Sequence, residues 1–407
     1  MRPLEGIRVV EVAQFTFVPS AWAVMADWGA DVIKVEQATA GDGQRGLRQL
    51  GPVKLEGPGN PAFEHPNRGK RSVGVDIGTP EGLEIVLRLV EGADVFLTNF
   101  LPAARSRLGI EVDAVRARNP DIVYARGSAF GDEGAERESG GYDMTGYWCR
   151  GSSGASITPS GTVGVIPQPP AYGDTIGGMT IAGGIATALF QRERTGEARV
   201  VDISLLGTAM WNISADITMA KALAALGVAK GTPKMNRKLV PNPIVNAYKT
   251  GDGRWLMLVM LQSDRNWPDL CRHLEREDLI DDPRFRDAKA RAENKAECVD
   301  TLDAIFAQHD LETWKQKLAT TEGVWAPIQY PGELYDDPQA QINGYLPEVE
   351  LNNGDNCQLV AAPVQFDEVQ PELGAAPEHG QHTEEVLLDL GLEWDDILKA
   401  KEAGAIL

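Results

Sequence analysis

Between Ala171 and Gly178 the chain reads Ala-Tyr-Gly-Asp-Thr-Ile-Gly-Gly. An aspartate set between glycines has two readings. Asp174 caps a helix while the glycines permit a tight turn, or it is a carboxylate nucleophile beside backbone N–H groups that stabilise an oxyanion. A second cluster, Asn67-Arg68-Gly69-Lys70-Arg71-Ser72, gathers three cations, with Arg105 and Arg107 further along. The choice there lies between solvated loops and a phosphate site at the carboxyl edge of a sheet. Other chemistries lack their signatures. No GxGxxG follows the first strand and no P-loop occurs. GSSGA at 151–155 misses the second glycine of a nucleophile elbow. No HExxH and no CxxC is present, so no metal site is expected.

These residues need a scaffold. Short β-branched runs predict strands at 7–13, 31–36, 72–76, 94–100 and 122–128, with helices at 19–28 and 83–90. Thr79-Pro80-Glu81 is a helix start: cap, proline at the first helical position, acid in the first turn. Such alternation predicts an α/β fold with a parallel sheet. Residues 131–173 are rich in Gly, Ser and Pro, and a connector of that length is usually functional. Tyr147 and Trp148 within it are either an acyl pocket or packing. A helix at 178–194, a strand at 199–205 and a helix at 206–222 follow. The basic stretch 225–240 marks a domain boundary. A hairpin over 246–261 turns at Thr250-Gly251-Asp252-Gly253, and helices at 264–275, 292–307 and 311–319 complete a small α+β unit. The domains expected are 1–224, 225–325 and 326–407, with late helices at 382–390 and 394–402.

The 407 residues carry a net charge of −20, which disfavours nucleic acid or an anionic membrane as partner. Four scattered cysteines read as thiols of a reducing cytoplasm. The first residues lack the apolar run of a signal peptide, and no stretch reaches the ~20 apolar residues of a membrane helix.

Taken in order, PLEGIRVVEV, GADVIKVE, NRGKRSV, TNFLP, the Gly-Asp-x-x-Gly-Gly turn and GQHTEEVLLDLGL resemble the family III CoA-transferases, the CaiB/BaiF group, across nearly the whole chain. The resemblance implies a Rossmann-like large domain built from both chain ends, a small domain, and an obligate interlocked homodimer. It implies Asp174 as nucleophile, with Gly177 and Gly178 letting backbone approach the reacting carbon. CoA contacts would fall on Phe15, Thr16, Lys70, Arg71, Arg107 and Leu108, and the Tyr142-Asp143 pair would lie near the thioester. Acyl-CoA and a carboxylic acid are the implied substrates, with no cofactor beyond CoA. Racemases of the group carry Gly-His-Asp where this chain has Gly141-Tyr142-Asp143. A phenol of pKa about 10 is a poorer base at neutral pH than an imidazole of about 6.5. That favours a transferase over a 2-methylacyl-CoA racemase; a non-catalytic acyl-CoA-binding protein is the other rival.

Overall fold

A computed structural model of the chain describes residues 2–55, 59–159, 164–227 and 236–407. It divides into two units, Met1–Thr232 with Pro338–Leu407, and Pro233–Asp337. The first junction falls in 228–235, outside the described residues.

The larger unit is built on six parallel strands: β1 (Arg8–Val12), β2 (Asp31–Glu36), β3 (Arg71–Gly74), β4 (Val95–Thr98), β5 (Val123–Ser128) and β6 (Val200–Ser204). Their order is 3-2-1-4-5-6, that of a Rossmann-like doubly wound sheet. The sequence produces it by simple alternation. Val9, Val32, Val95 and Val123 point to one face and Val10, Ile33, Phe96 and Tyr124 to the other. The first face is covered by α1 (Phe17–Asp27) and α4 (Tyr172–Thr195), through Trp22, Ile181 and Ile185. The second is covered by α2 (Pro80–Glu91), α10 (Thr383–Asp389) and α11 (Trp394–Glu402), through Val86, Leu89, Leu387 and Ile397. Thr79 caps α2 as its sequence predicts, accepting the Gly82 N–H at 3.0 Å.

The chain's last residues return to the edge strand β3. Leu407 N–H donates to Gly74 O at 3.1 Å and Asp76 N–H to Ala405 O at 2.8 Å. An edge that would otherwise offer unpaired backbone groups is thereby partly covered.

The smaller unit holds the expected hairpin, β7 (Val245–Lys249) against β8 (Trp255–Val259), turning at Gly253 with φ +84°. Helices α7 (Ser263–His273), α8 (Lys295–Phe306) and α9 (Leu311–Lys317) pack Trp267, Leu302, Phe306 and Trp314 around Tyr248 and Leu258. Its end lies beyond the expected residue 325, because β9 (Trp325–Pro327) adds antiparallel to β8 as a third strand.

Candidate active site

The sheet order reverses between β1 and β4, and a crevice outside the carboxyl ends of strands at such a switch point is where ligands bind in doubly wound folds. A cavity of about 340 Å³ lies there, lined from the ends of β1 (Gln14, Phe15), β4 (Asn99, Phe100) and β5 (Gly127, Ser128). Asn99 ties two of these loops together: its Oδ1 accepts Gln14 N–H at 3.2 Å and its Nδ2 donates to Gln14 O at 2.7 Å. α3 (Pro102–Leu108) contributes Ala104, and the 139–143 segment closes the cavity with Tyr142 and Asp143.

Asp174 lines the same cavity. Helix α4 starts at Tyr172, six residues earlier than the glycines led us to expect, with Ala171 in the left-handed region at φ +53°. Asp174 therefore sits in the first helical turn rather than at the cap. The capping acid is Asp143, which arrives from the other side of the Gly/Ser/Pro segment and accepts Gly173 N–H at 3.0 Å. Tyr147 and Trp148 brace the same turn, each edge-on to Tyr172 at 6.2 and 6.1 Å, and both are buried. They are packing residues, not an acyl pocket. The segment that looked structureless holds short helices at Met144–Arg150 and Ser153–Ile157.

The Asp174 carboxylate accepts no hydrogen bond among the described residues. Burial, joined by the nearby Asp143 charge, pushes its pKa up to about 7. Near neutrality such a carboxylate can exchange between its acid and anion forms, with no internal hydrogen bond among the described residues to mask it. Asp143 is itself raised by burial. Asp143→Asn keeps an acceptor for Gly173 N–H but removes a like charge, so Asp174 ionises more readily. The acid limb of kcat/KM against pH is expected to move to lower pH, with activity at pH 6 about severalfold above wild type. A limb that stays in place would show that the two carboxylates do not interact.

Phe15 stands at the lip of the cavity, in the left-handed region at φ +64°, a conformation costing about 1–3 kcal/mol. Asp42 holds it there by accepting its N–H at 3.1 Å, and its ring meets Tyr142 edge-on at 5.7 Å. Tyr142 is 65% exposed. The Thr16 hydroxyl is buried and bonded to Gln44 at 3.0 Å, away from the cavity lining.

Other expected site residues lie elsewhere. Gly177 and Gly178 face α1. A Cβ on the first would lie 2.2 Å from a Phe17 ring carbon, and on the second 2.0 Å from Ser20 Oγ. They let two helices touch instead of admitting a reacting carbon. Gly178→Ala is expected to destabilise by about 1–3 kcal/mol through overpacking, seen as a lower urea midpoint.

The basic cluster is also internal. Arg68 grips Asp27 with two bonds of 3.0 and 2.7 Å. Lys70 is buried and donates to Glu11 at 2.6 Å, Pro19 O at 3.0 Å and Asn67 at 3.0 Å. Burial draws its pKa below the usual lysine value, against the pull of Glu11. Arg71 is bidentate on Asp31 at 2.9 and 2.6 Å. Lys70 and Arg71 are therefore not free to hold phosphates. Arg105 is buried on Asp132 at 2.7 Å. Arg107 is exposed and makes no ion pair among the described residues, and Leu108 packs beside the sheet core. Among the described residues no cluster of three or more metal-ligating side chains occurs, and no helix is long and apolar enough to cross a membrane.

A model of "CoA-transferase family III" matches residues 4–383. The chain belongs to CoA-transferase family III. It is 30% identical to the (R)-2-hydroxy-4-methylpentanoate CoA-transferase of Clostridioides difficile, with 99% of each chain covered. It is 31% identical to the succinate–glutarate CoA-transferase of Agrobacterium fabrum, covering 95% of this chain and 96% of that one. The crystal structure of a CaiB/BaiF family protein from Brucella suis superposes with a TM-score of 0.80 at 27% identity, over 96% of this chain and 99% of the other. These curated relatives are CoA-transferases, and with the family match they make this chain a CoA-transferase, an enzyme that moves CoA between acids. Three members of the cavity wall, Gln14, Asn99 and Phe100, were not given site roles from sequence. For Asn99 and Phe100 the signal was the TNFLP run, an amide and an aromatic directly after a parallel strand; Gln14 stands in the turn after the first strand.

Proposed function

We propose that the protein transfers CoA reversibly from an acyl-CoA to a free carboxylic acid through covalent intermediates on Asp174. The observation carrying this reading is an unbonded carboxylate, raised to about 7, in a cavity at the switch point of the sheet. Asp174 attacks the thioester carbonyl, forming a mixed anhydride and releasing CoA thiolate. The thiolate attacks the aspartyl carbonyl, giving an aspartyl-CoA thioester and freeing the first acid. The acceptor carboxylate attacks that thioester, forming a second anhydride and again releasing the thiolate. The thiolate then attacks the new acyl carbonyl, yielding the product thioester and restoring Asp174. Each step replaces one hard exchange with an easier one. The partly buried setting limits hydrolysis of the anhydrides. No cofactor beyond CoA is called for, and Arg107, exposed and without an ion pair among the described residues, is a cation available for CoA phosphate.

The scheme moves one acceptor oxygen into the Asp174 side chain. With an ¹⁸O-labelled acceptor acid, label should appear in the peptide containing Asp174. Transfer without label in that peptide would remove the covalent route.

The reading includes an interlocked homodimer. Supporting it, α6 (Ser214–Ala225) buries none of its residues, and Phe190 of α4 and Trp211 of α5 (Leu205–Asn212) are 63% and 79% exposed. Light scattering should give twice the chain mass; a monomer that turns over would refute it.

A further inference from the structure

Phe15 leaves β1 in a conformation that a phenylalanine keeps only when its surroundings over-determine it. Ala13, Gln14 and Phe15 are each pinned from another element. Ala13 O accepts Lys34 Nζ of β2 at 3.0 Å. Gln14 is held on both backbone groups by Asn99, just beyond β4. Phe15 N–H donates to Asp42 Oδ1 at 3.1 Å. Lys34 and Asp42 also hold each other, Nζ lying 2.8 Å from Oδ2, and both side chains are fully buried. Neither lines the cavity, whereas Phe15 and Asp174 both do. Resting on the transfer reading above, we infer that Asp42, anchored by Lys34, is a positioning residue for acyl-CoA binding: it acts through Phe15, by holding that ring at the lip of the cavity.

The anchor is built into the sheet. Asp42 N–H donates to Glu36 Oε2 at 2.9 Å, at the end of β2, and Asp42 Oδ1 also accepts Gln44 N–H at 2.9 Å. Lys34 is fixed in turn by Glu11 Oε1 of β1 at 2.8 Å. Every member of the clamp belongs to one chain and to its larger unit, so a partner copy is not needed to complete it. A buried ion pair is a weak device for stability alone. Here each end also takes a backbone group of the loop, Ala13 O and Phe15 N–H, which an apolar pair of like size would leave unpaired. Gly43 leaves room for the ring, since a Cβ there would lie 3.2 Å from Phe15 Cζ. Without Asp42 the Phe15 backbone relaxes out of the left-handed region, and the ring leaves the place where it meets Tyr142 edge-on. Acyl-CoA then binds only the fraction of molecules with the ring in place.

The test is a double-mutant cycle on the full chain, read by titration with S-butyl-CoA, a thioether that cannot be transferred. Asp42→Ala should raise Kd about tenfold when Phe15 is present and less than about twofold in the Phe15→Ala background. Equal losses in the two backgrounds would make Asp42 merely structural, and no loss in either would leave the clamp without effect; both results overturn the inference. Gly43→Val disturbs no buried charge, so it gives an answer even where Asp42→Ala fails to fold. Its side chain presses on the same ring from an exposed turn. Kd should rise about threefold or more at an unchanged urea midpoint, and should not rise in the Phe15→Ala background. An unchanged Kd for Gly43→Val refutes the inference. Wild-type protein that binds the thioether yet turns over no acid sinks the transfer reading and leaves the cycle to judge the clamp; protein that binds no thioether sinks both.

Discussion

Asp174→Asn is expected to bind acyl-CoA and to transfer nothing, with kcat at least about 10³-fold below wild type, the loss typical of removing a covalent nucleophile. The amide has nearly the shape of the carboxylate, and the side chain holds no internal hydrogen bond among the described residues. Folding and the cavity should therefore persist, with affinity for a non-reactive CoA thioether unchanged and a thermal midpoint no lower than wild type, since a carboxylate raised by burial and a like charge costs stability when ionised. The same geometry sets the pH dependence of the wild type. A carboxylate raised to about 7 is protonated, and inert, below that value. kcat/KM should fall toward tenfold per pH unit on the acid side and level off above it. A variant with near-normal turnover would place the chemistry elsewhere.

Lys70→Met should fail differently. The lysine and Lys34 together neutralise Glu11 in the interior, at 2.6 and 2.8 Å, and all three side chains are fully buried. Removing one ammonium leaves Glu11 buried with half its partners and takes a donor from the Asn67 side-chain oxygen. Breaking a buried pair from one side costs about 3–5 kcal/mol. We expect a loss of that order in urea unfolding, with KM for acyl-CoA in the surviving folded protein unchanged. Arg107→Ala should do the reverse, raising KM up to about fivefold, the weight of an exposed ion pair of ~1 kcal/mol, at constant stability. If Lys70→Met instead raised KM in a protein of normal stability, the lysine would belong to the CoA site after all.

The contrast between these cations shows what sequence carries. Strands and helices were legible because alternation and caps are local: Thr79-Pro80 both predicts and makes the start of α2. Asp174 stood out as an acid between glycines, which left capping and chemistry both open; the nucleophile reading came from the family resemblance, and the structure adds its place in the cavity wall. The partners of a charge are not local. For Arg68, Lys70 and Arg71 the sequence left a solvated loop and an anion site open, and neither reading anticipated that their carboxylates, Asp27, Glu11 and Asp31, come from three earlier elements. Gly177 and Gly178 were misread for the same reason. A missing side chain records that something comes close, and only the fold says whether it is a substrate or the ring of Phe17.

The bond between Leu407 and Gly74 has a consequence for biogenesis. As the chain leaves the ribosome, β3 emerges early, and the segment that protects its margin is made only after the whole smaller unit. Throughout that interval the margin can recruit another nascent copy. Clipping the last three residues should therefore lower soluble yield in cells more than it slows the purified enzyme, and co-expressed chaperones should recover the difference.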